Sequence, residues 1–502
     1  MAGQTSIKEF IGNSKLHEKI MTADEAALFV KPGMIVGFSG FTPSGYPKVL
    51  PMALAKRAEH EGPIPITVWS GASVGPELDE ELVRTGCMKR RFPYQTNDAL
   101  RKGINGGEIQ FADIHLSHCA QNLRYGFYGH MDLAVIEALE ITEDGGIVPT
   151  TSVGNCNAFI EMADRVIVEI NTVQPRGLKG IHDIYSLENP PHRKPIPIAN
   201  VQDRIGTTAL PCPPEKIVAI VHSGVQDSQR PLAPVDEVSE KMASNLIDFL
   251  SMEVKAGRLP KELLPLQSGV GNIANAVLVG LSEWPTDGLT VYTEVLQDAV
   301  FDLLDKGKIS FASSTALTPS PDAAAKYYPR LDDFKNRIVL RPQEISNHPE
   351  LIRRLGVIAM NTAVEVDVYG HVNSTMAGGT KMLNGIGGSG DFARNAYLTA
   401  FLCPSTSGKG KISKVVPFCS HVDHTEHDVD IIVTENGIAD LRGLSPRERS
   451  AEIVSKCCHA DYRELLRDYV KRAETGGGHE PHILAEAFSW HERLKNNGTM
   501  MP

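Results

Sequence analysis

What the sequence lacks narrows its reading first. Its eight cysteines, Cys87, Cys119, Cys156, Cys212, Cys403, Cys419, Cys457 and Cys458, form no C-x-x-C pair. Thiols scattered through a long chain fit a reducing compartment better than a disulfide framework. No apolar run approaches the roughly 18 residues that a membrane-spanning helix needs. The first twenty residues hold no basic segment followed by an apolar core, and Glu9 and Glu18 are out of place in an Arg-rich transit peptide. The expectation is a soluble, cytoplasmic protein. Positive charge is also short: 50 Lys and Arg stand against 61 Asp and Glu, a net charge of −11. Such a chain repels phosphate backbones and anionic bilayers, so neither nucleic acid nor membrane is an expected partner. An anionic small substrate would need a local basic patch.

What is present is an ordinary globular balance, 42% hydrophobic and 22% charged over 502 residues, enough for two to four domains. Strand-like runs at 35–38, 66–69, 133–137, 166–170, 217–221, 289–293, 337–340, 364–368 and 431–434 alternate with segments of helical spacing. That alternation predicts parallel α/β layers. Two short strings recur. Thr67-Val68-Trp69-Ser70-Gly71 resembles Thr290-Val291-Tyr292-Thr293-Glu294, and the run from Thr142 to Val148 resembles the run from Val366 to Val372, at offsets of 223 and 224 residues. A near-constant offset points to internal duplication. Two tandem open α/β domains are expected, 1–225 and 226–502, divided at the polar loop that begins at His222. The Pro-rich stretch 175–200 reads as an ordered irregular excursion, and Ser445-Pro446-Arg447-Glu448 as a capped helix start.

Six places carry residue types suited to chemistry. Glu294 closes a strand-like run and precedes apolar residues at 295, 296, 299, 300, 303 and 304, one face of a helix. A carboxylate at the carboxyl end of a strand is where open α/β sheets place ligands, and the matching corner of the first half has Gly71. A solvated surface Glu is the plain alternative. Gln267-Ser268-Gly269-Val270-Gly271-Asn272 is a glycine turn opening a helix, fit either to offer backbone N–H groups to an anion or merely to turn the chain. Gly385, Gly387 and Gly390 match G-x-G-x-x-G, but no strand precedes them, so a nicotinamide site and the oxidoreductase reading are disfavoured, and a loop offering backbone donors is favoured. His421, His424 and His427 drift around a helix at their three-residue spacing, which favours a polar loop over a metal centre; no metal is expected. Glu435 ends another strand before Asn436-Gly437, either as a second reactive carboxylate or as a turn cap, and Lys409 and Lys411 form a small basic tip.

At these residues the chain resembles the acetyl-CoA hydrolase/CoA-transferase family, the class I CoA-transferases, and within it the succinyl-CoA:acetate branch. The similar motifs include GFSGFTPSGYPK (37–48), LPLQSGVGNIANAV (264–277), YTEVLQD (292–298), NGIGGSGDFARNAYL (384–398) and SHVDHTEHDVD (420–430), and the likeness spans nearly the whole chain. The resemblance implies two α/β domains of the CoA-transferase type in a homodimer. Its substrates would be acyl-CoA and short-chain carboxylates, with CoA as substrate and no separate cofactor. It implies Glu294 as nucleophile, Val270 and Gly388 as oxyanion-hole amides, and Asn347 and Glu435 beside the nucleophile. It also implies that Gln267, Ser268, Gly269, Gly271, Asn272 and Asn384 line the CoA site. Lys409 is the best match for a CoA-contacting lysine, although the spacing after Pro404 departs from the family pattern. The acyl pair expected is succinyl-CoA and acetate; acetyl-CoA hydrolysis and propionyl-CoA:succinate transfer are the alternatives.

Overall fold

A computed structural model describes residues 7–269 and 271–502. The chain forms two compact units. Among the described residues, the first comprises 7–231, 291–304 and 311–351, and the second 232–269, 271–290, 305–310 and 352–502.

The first unit is built on a sheet whose strands run in the spatial order Gln110–Phe111, Met88–Phe92, Ile66–Trp69, Ile35–Phe38, Leu133–Ile141, Arg165–Asn171 and Ile217–Ser223. Each neighbouring pair is parallel. Ile147–Pro149 adds antiparallel to Leu133–Ile141. Parallel strands covered on both faces read as continuous apolar runs, which is why LAVIEALEI is buried at every position but Glu140. The strand order reverses between Ile35–Phe38 and Leu133–Ile141, the kind of switch point beside which open sheets leave a crevice. The helix Val49–Glu61 starts over a buried carboxylate: Glu169 accepts the backbone N–H groups of Lys48, Val49 and Leu50 at 2.7, 3.2 and 3.1 Å. A carboxylate at a helix N-terminus satisfies orphan donors and meets the positive end of the helix dipole. Lys48, fully buried, neutralises the same region by pairing with Glu137 and, at 2.8 Å, with Asp227 of the loop leaving the sheet.

In the second unit the parallel strands Leu266–Ser268, Ile358–Thr362, Leu398–Leu402 and Ile431–Thr434 lie side by side in that order, closed by antiparallel Gly437–Asp440. The series repeats Ile35–Phe38, Leu133–Ile141, Arg165–Asn171 and Ile217–Ser223 of the first unit. The matched strings fall on matched structure as well. Thr67 and Thr290 sit in strands Ile66–Trp69 and Leu289–Tyr292, and 142–146 and 368–371 turn between strands that pair antiparallel. The α/β class and the duplication are both visible here.

One local expectation needs correction. The run after Glu294 is not helical from Val295. Val295–Leu296 is a short strand paired with Ala316–Leu317, and the helix begins at Asp298. β-branched Val295 completes a ladder before the helical spacing takes over. Ser445 caps the helix Pro446–Lys456 as its sequence predicts, in a capping box with Glu448. All eight cysteines are free and buried.

Candidate active site

Glu294 lies in the first unit, between the strand Leu289–Tyr292 and Val295–Leu296. Its backbone carbonyl accepts the N–H groups of Thr315 and Ala316 at 3.0 and 3.1 Å, which fixes the residue on its turn. The side chain is partly buried, and its Oε1 accepts Asn347 Nδ2 at 2.7 Å. Loss of water raises its pKa to about 7, and the Asn347 N–H opposes that rise. A carboxylate so placed is half ionised near neutrality and poorly solvated when it is charged.

Asn347 is held by the turn that precedes it. Gln343–Ser346 is one helical turn after Pro342, and Gln343 N–H donates to Gly154 O at 2.8 Å. Tyr292 Oη donates to Ile345 O at 2.5 Å. Glu344 is gripped by both terminal nitrogens of Arg124, at 2.6 and 2.9 Å, and by Asn157 Nδ2 at 2.7 Å. A bidentate Arg–carboxylate pair resists rotation, so the turn cannot swing its amide away. The matching corner in the first half is closed to any side chain: a Cβ on Gly71 would stand 2.6 Å from Gly40 O and 2.9 Å from Phe41 Cδ2. The duplicated corner thus accepts glycine for packing and the other carries the carboxylate.

The remaining sequence-nominated residues lie in the second unit. Gln267 is buried, and its amide is used internally: Oε1 accepts Met360 N–H at 2.9 Å and Nε2 donates to Asn361 Oδ1 at 3.2 Å. Ser268 is buried beside it. Val270 lies outside the described residues. Gly271, at φ 110°, stands at the start of the helix Asn272–Gly280 in a backbone conformation that favours glycine. Asn272 lines a cavity of about 510 Å³ together with Asp236, Val238, Ser239, Thr362, Pro404 and Thr406. The chain continues from Thr406 into the hairpin Thr406–Ser407/Ile412–Ser413, and exposed Lys409 stands at its tip with φ 58°. Gly388 precedes the short helix Ser389–Asn395, and the Asn384 side-chain oxygen is buried without a hydrogen bond. Glu435 occupies the two-residue turn between Ile431–Thr434 and Gly437–Asp440. Ser405 donates to it through its N–H at 2.8 Å and through its hydroxyl. Ser405 had no signal in the sequence: it meets Glu435 only because their two strands are neighbours.

The three histidines of 421–427 do not converge. His421 meets Asp423, His424 meets Ser389 Oγ at 3.1 Å with its ring tilted against Phe401, and His427 meets Glu426. The one potential metal-binding group among the described residues is a different set, His371, Glu426 and Glu480. There His371 already pairs through Nδ1 with Asp367 and through Nε2 with Glu426, each at 2.9 Å.

The fold is of the α/β class, and it places a desolvated carboxylate at the end of a strand. The chain belongs to the acetyl-CoA hydrolase/transferase family: the model of its N-terminal domain matches residues 6–222 and that of its C-terminal domain residues 324–470. It is 54% identical over 492 residues to the succinyl-CoA:acetate CoA-transferase of Clostridium kluyveri, covering 98% of this chain and 91% of that one. It is 48% identical to the acetyl-CoA hydrolase of Schizosaccharomyces pombe (98% of each chain) and 47% identical to the propanoyl-CoA:succinate CoA transferase of Escherichia coli (96% and 98%). Among solved structures, RipA from Yersinia pestis has the same fold, with a TM-score of 0.73 at 22% identity over 93% of this chain and 99% of that one. Among the described residues no helix is long and apolar enough to cross a membrane.

Proposed function

We propose that the chain moves CoA between a short-chain acyl-CoA and a carboxylate, with succinyl-CoA and acetate as the pair, through a thioester on Glu294. The observation that carries this reading is the Glu294 carboxylate itself, desolvated and hydrogen-bonded at one oxygen by Asn347. The ionised carboxylate attacks the thioester carbonyl, the C–S bond breaks, and the products are a mixed anhydride and CoA thiolate. The thiolate attacks the glutamyl carbonyl, releasing the first carboxylate and leaving a γ-glutamyl-CoA thioester. A second carboxylate runs the same steps backwards and leaves as acyl-CoA. Each step passes through a tetrahedral oxyanion, for which we assign the amides of Val270 and Gly388. One such donor is worth about 3–4 kcal/mol. The glycine turn from Gln267 to Asn272, with Asn384 and Lys409, is our assignment for CoA. The cavity beside Asn272 and the exposed cation at a hairpin tip support it. The acyl pair rests on the 54% identity to the Clostridium kluyveri enzyme. A cytoplasmic homodimer is part of the proposal.

The test is to incubate the enzyme with acyl-CoA and map the adduct. A CoA-sized, borohydride-sensitive mass on the peptide bearing Glu294, absent in Glu294→Ala, is expected; full exchange by Glu294→Ala would overturn the reading. Hydrolysis is the second reading, favoured by the similarity to the Schizosaccharomyces pombe hydrolase. Thioester loss that needs added acetate or succinate supports transfer, and loss at the same rate without them supports hydrolysis. An acceptor screen with acetate, propionate and succinate fixes the acyl pair.

A further inference from the structure

An asparagine amide can turn over about its last bond, exchanging donor for acceptor with almost no change of shape. Only its hydrogen-bond partners hold it one way. At Glu294 this matters, because a turned Asn347 would present Oδ1 to a carboxylate and repel it. An ionised Glu294 favours the donor orientation by itself. A protonated Glu294 does not, because its O–H can be given to Oδ1.

A second partner sits behind the amide. Ser346 Oγ lies 2.8 Å from Asn347 Oδ1, and both residues are fully buried, so water does not compete for either. The serine proton has one other acceptor, Gln343 O, at a longer 3.3 Å. Were the amide turned, Nδ2 would have to donate to Oγ, and the serine proton would be driven to that poorer bond. We propose that Ser346 is a positioning residue: its hydroxyl, given to Asn347 Oδ1, holds Nδ2 toward Glu294 in every protonation and covalent state of that carboxyl group. On the turn that leads into Ser346, Arg341 is paired with Asp183 and Glu344 with Arg124. The influences on the Glu294 carboxyl are loss of water and, against it, the Asn347 N–H. The consequence for turnover rests on Glu294 being the nucleophile, but the orientation of the amide does not.

The experiment reads the Glu294 titration directly, in the substrate-free protein, by ¹³C NMR of labelled glutamate. The signal is assigned by its loss in Glu294→Gln. Ser346→Ala should move the midpoint upward by about half a pH unit to one, as the donor is lost for part of the time. Ser346→Thr, which keeps a hydroxyl, should return it to the wild-type value. Ser346→Cys, a near-isosteric weak donor, should fall between and stands in if the alanine variant does not fold. Asn347→Ala should shift the midpoint at least as far, and adding Ser346→Ala to it should move it no further. In CoA exchange, Ser346→Ala should lower kcat several-fold with the KM for acyl-CoA unchanged. A midpoint unmoved by Ser346→Ala while Asn347→Ala moves it would overturn the proposal. Exchange surviving in Glu294→Ala would instead sink the nucleophile reading and leave the titration result standing.

Discussion

At the scale of single residues, the site is one carboxylate and one amide, and their properties set the pH behaviour. The folded pKa of Glu294 is raised to about 7, so the ionised form that the proposed attack requires is lost as pH falls through that value. The rate of the first half-reaction, followed as CoA release at limiting acyl-CoA, should rise tenfold per pH unit below about 6 and level off above about 8. Asn347→Ala removes the hydrogen bond to Oε1 and should lower kcat about 10- to 100-fold in steady-state assays, with a smaller effect on stability. Glu294 was legible because a carboxylate closed a strand-like run while its duplicate carried glycine. The meeting of Asn347 with Glu294 was not legible in spacing: 53 residues separate them, and only the resemblance to a family joined them. Ser405 was missed altogether, because a serine that clamps a carboxylate across two strands looks like any other loop serine.

At the scale of elements, caps and turns were the most readable features, since their chemistry is local. Ser445 and Glu448 announce a capping box within four residues, and it forms. Ser445→Ala should reduce stability by about 1 kcal/mol in chemical denaturation. The segment 295–304 misled because the apolar spacing that marks a helix also suits a two-residue strand that enters it. Long-range charge networks left no trace in local pattern. Glu253, on the helix Glu237–Lys255, takes Arg258 Nε and Arg442 Nη1 at 2.8 and 3.0 Å, and these bonds hold its pKa down to about 2. A carboxylate with a depressed folded pKa contributes its full stability above the unfolded value, about 4.5, and loses it as pH falls toward 2. Glu253→Gln should therefore cost about 2 kcal/mol at pH 7 and progressively less between pH 4.5 and 2, measured by denaturant unfolding at each pH.

At the scale of the whole molecule, the alternation of strand and helical patterns made the α/β class readable, and a near-constant offset exposed the duplication. The strand series of the second unit repeats that of the first, so the offset reflects architecture rather than chance strings. The grouping of 291–304 and 311–351 with the first unit could not be read in the same way, because a linear sequence does not say which strand returns to which sheet. One global property bears on an enzyme that we propose handles a free thiol at every turnover. All eight cysteine sulfurs are buried, and burial pushes the Cys156, Cys212, Cys403 and Cys458 thiols up to about 12. The thiolate is the species that attacks a disulfide, so these four buried thiols are poor nucleophiles toward oxidised coenzyme. Native protein exposed to CoA disulfide should gain no covalent mass, whereas the same protein unfolded in urea should acquire up to eight adducts. On this reading, a catalyst that works among CoA thiols would resist S-thiolation under oxidative stress without needing to dispense with cysteine.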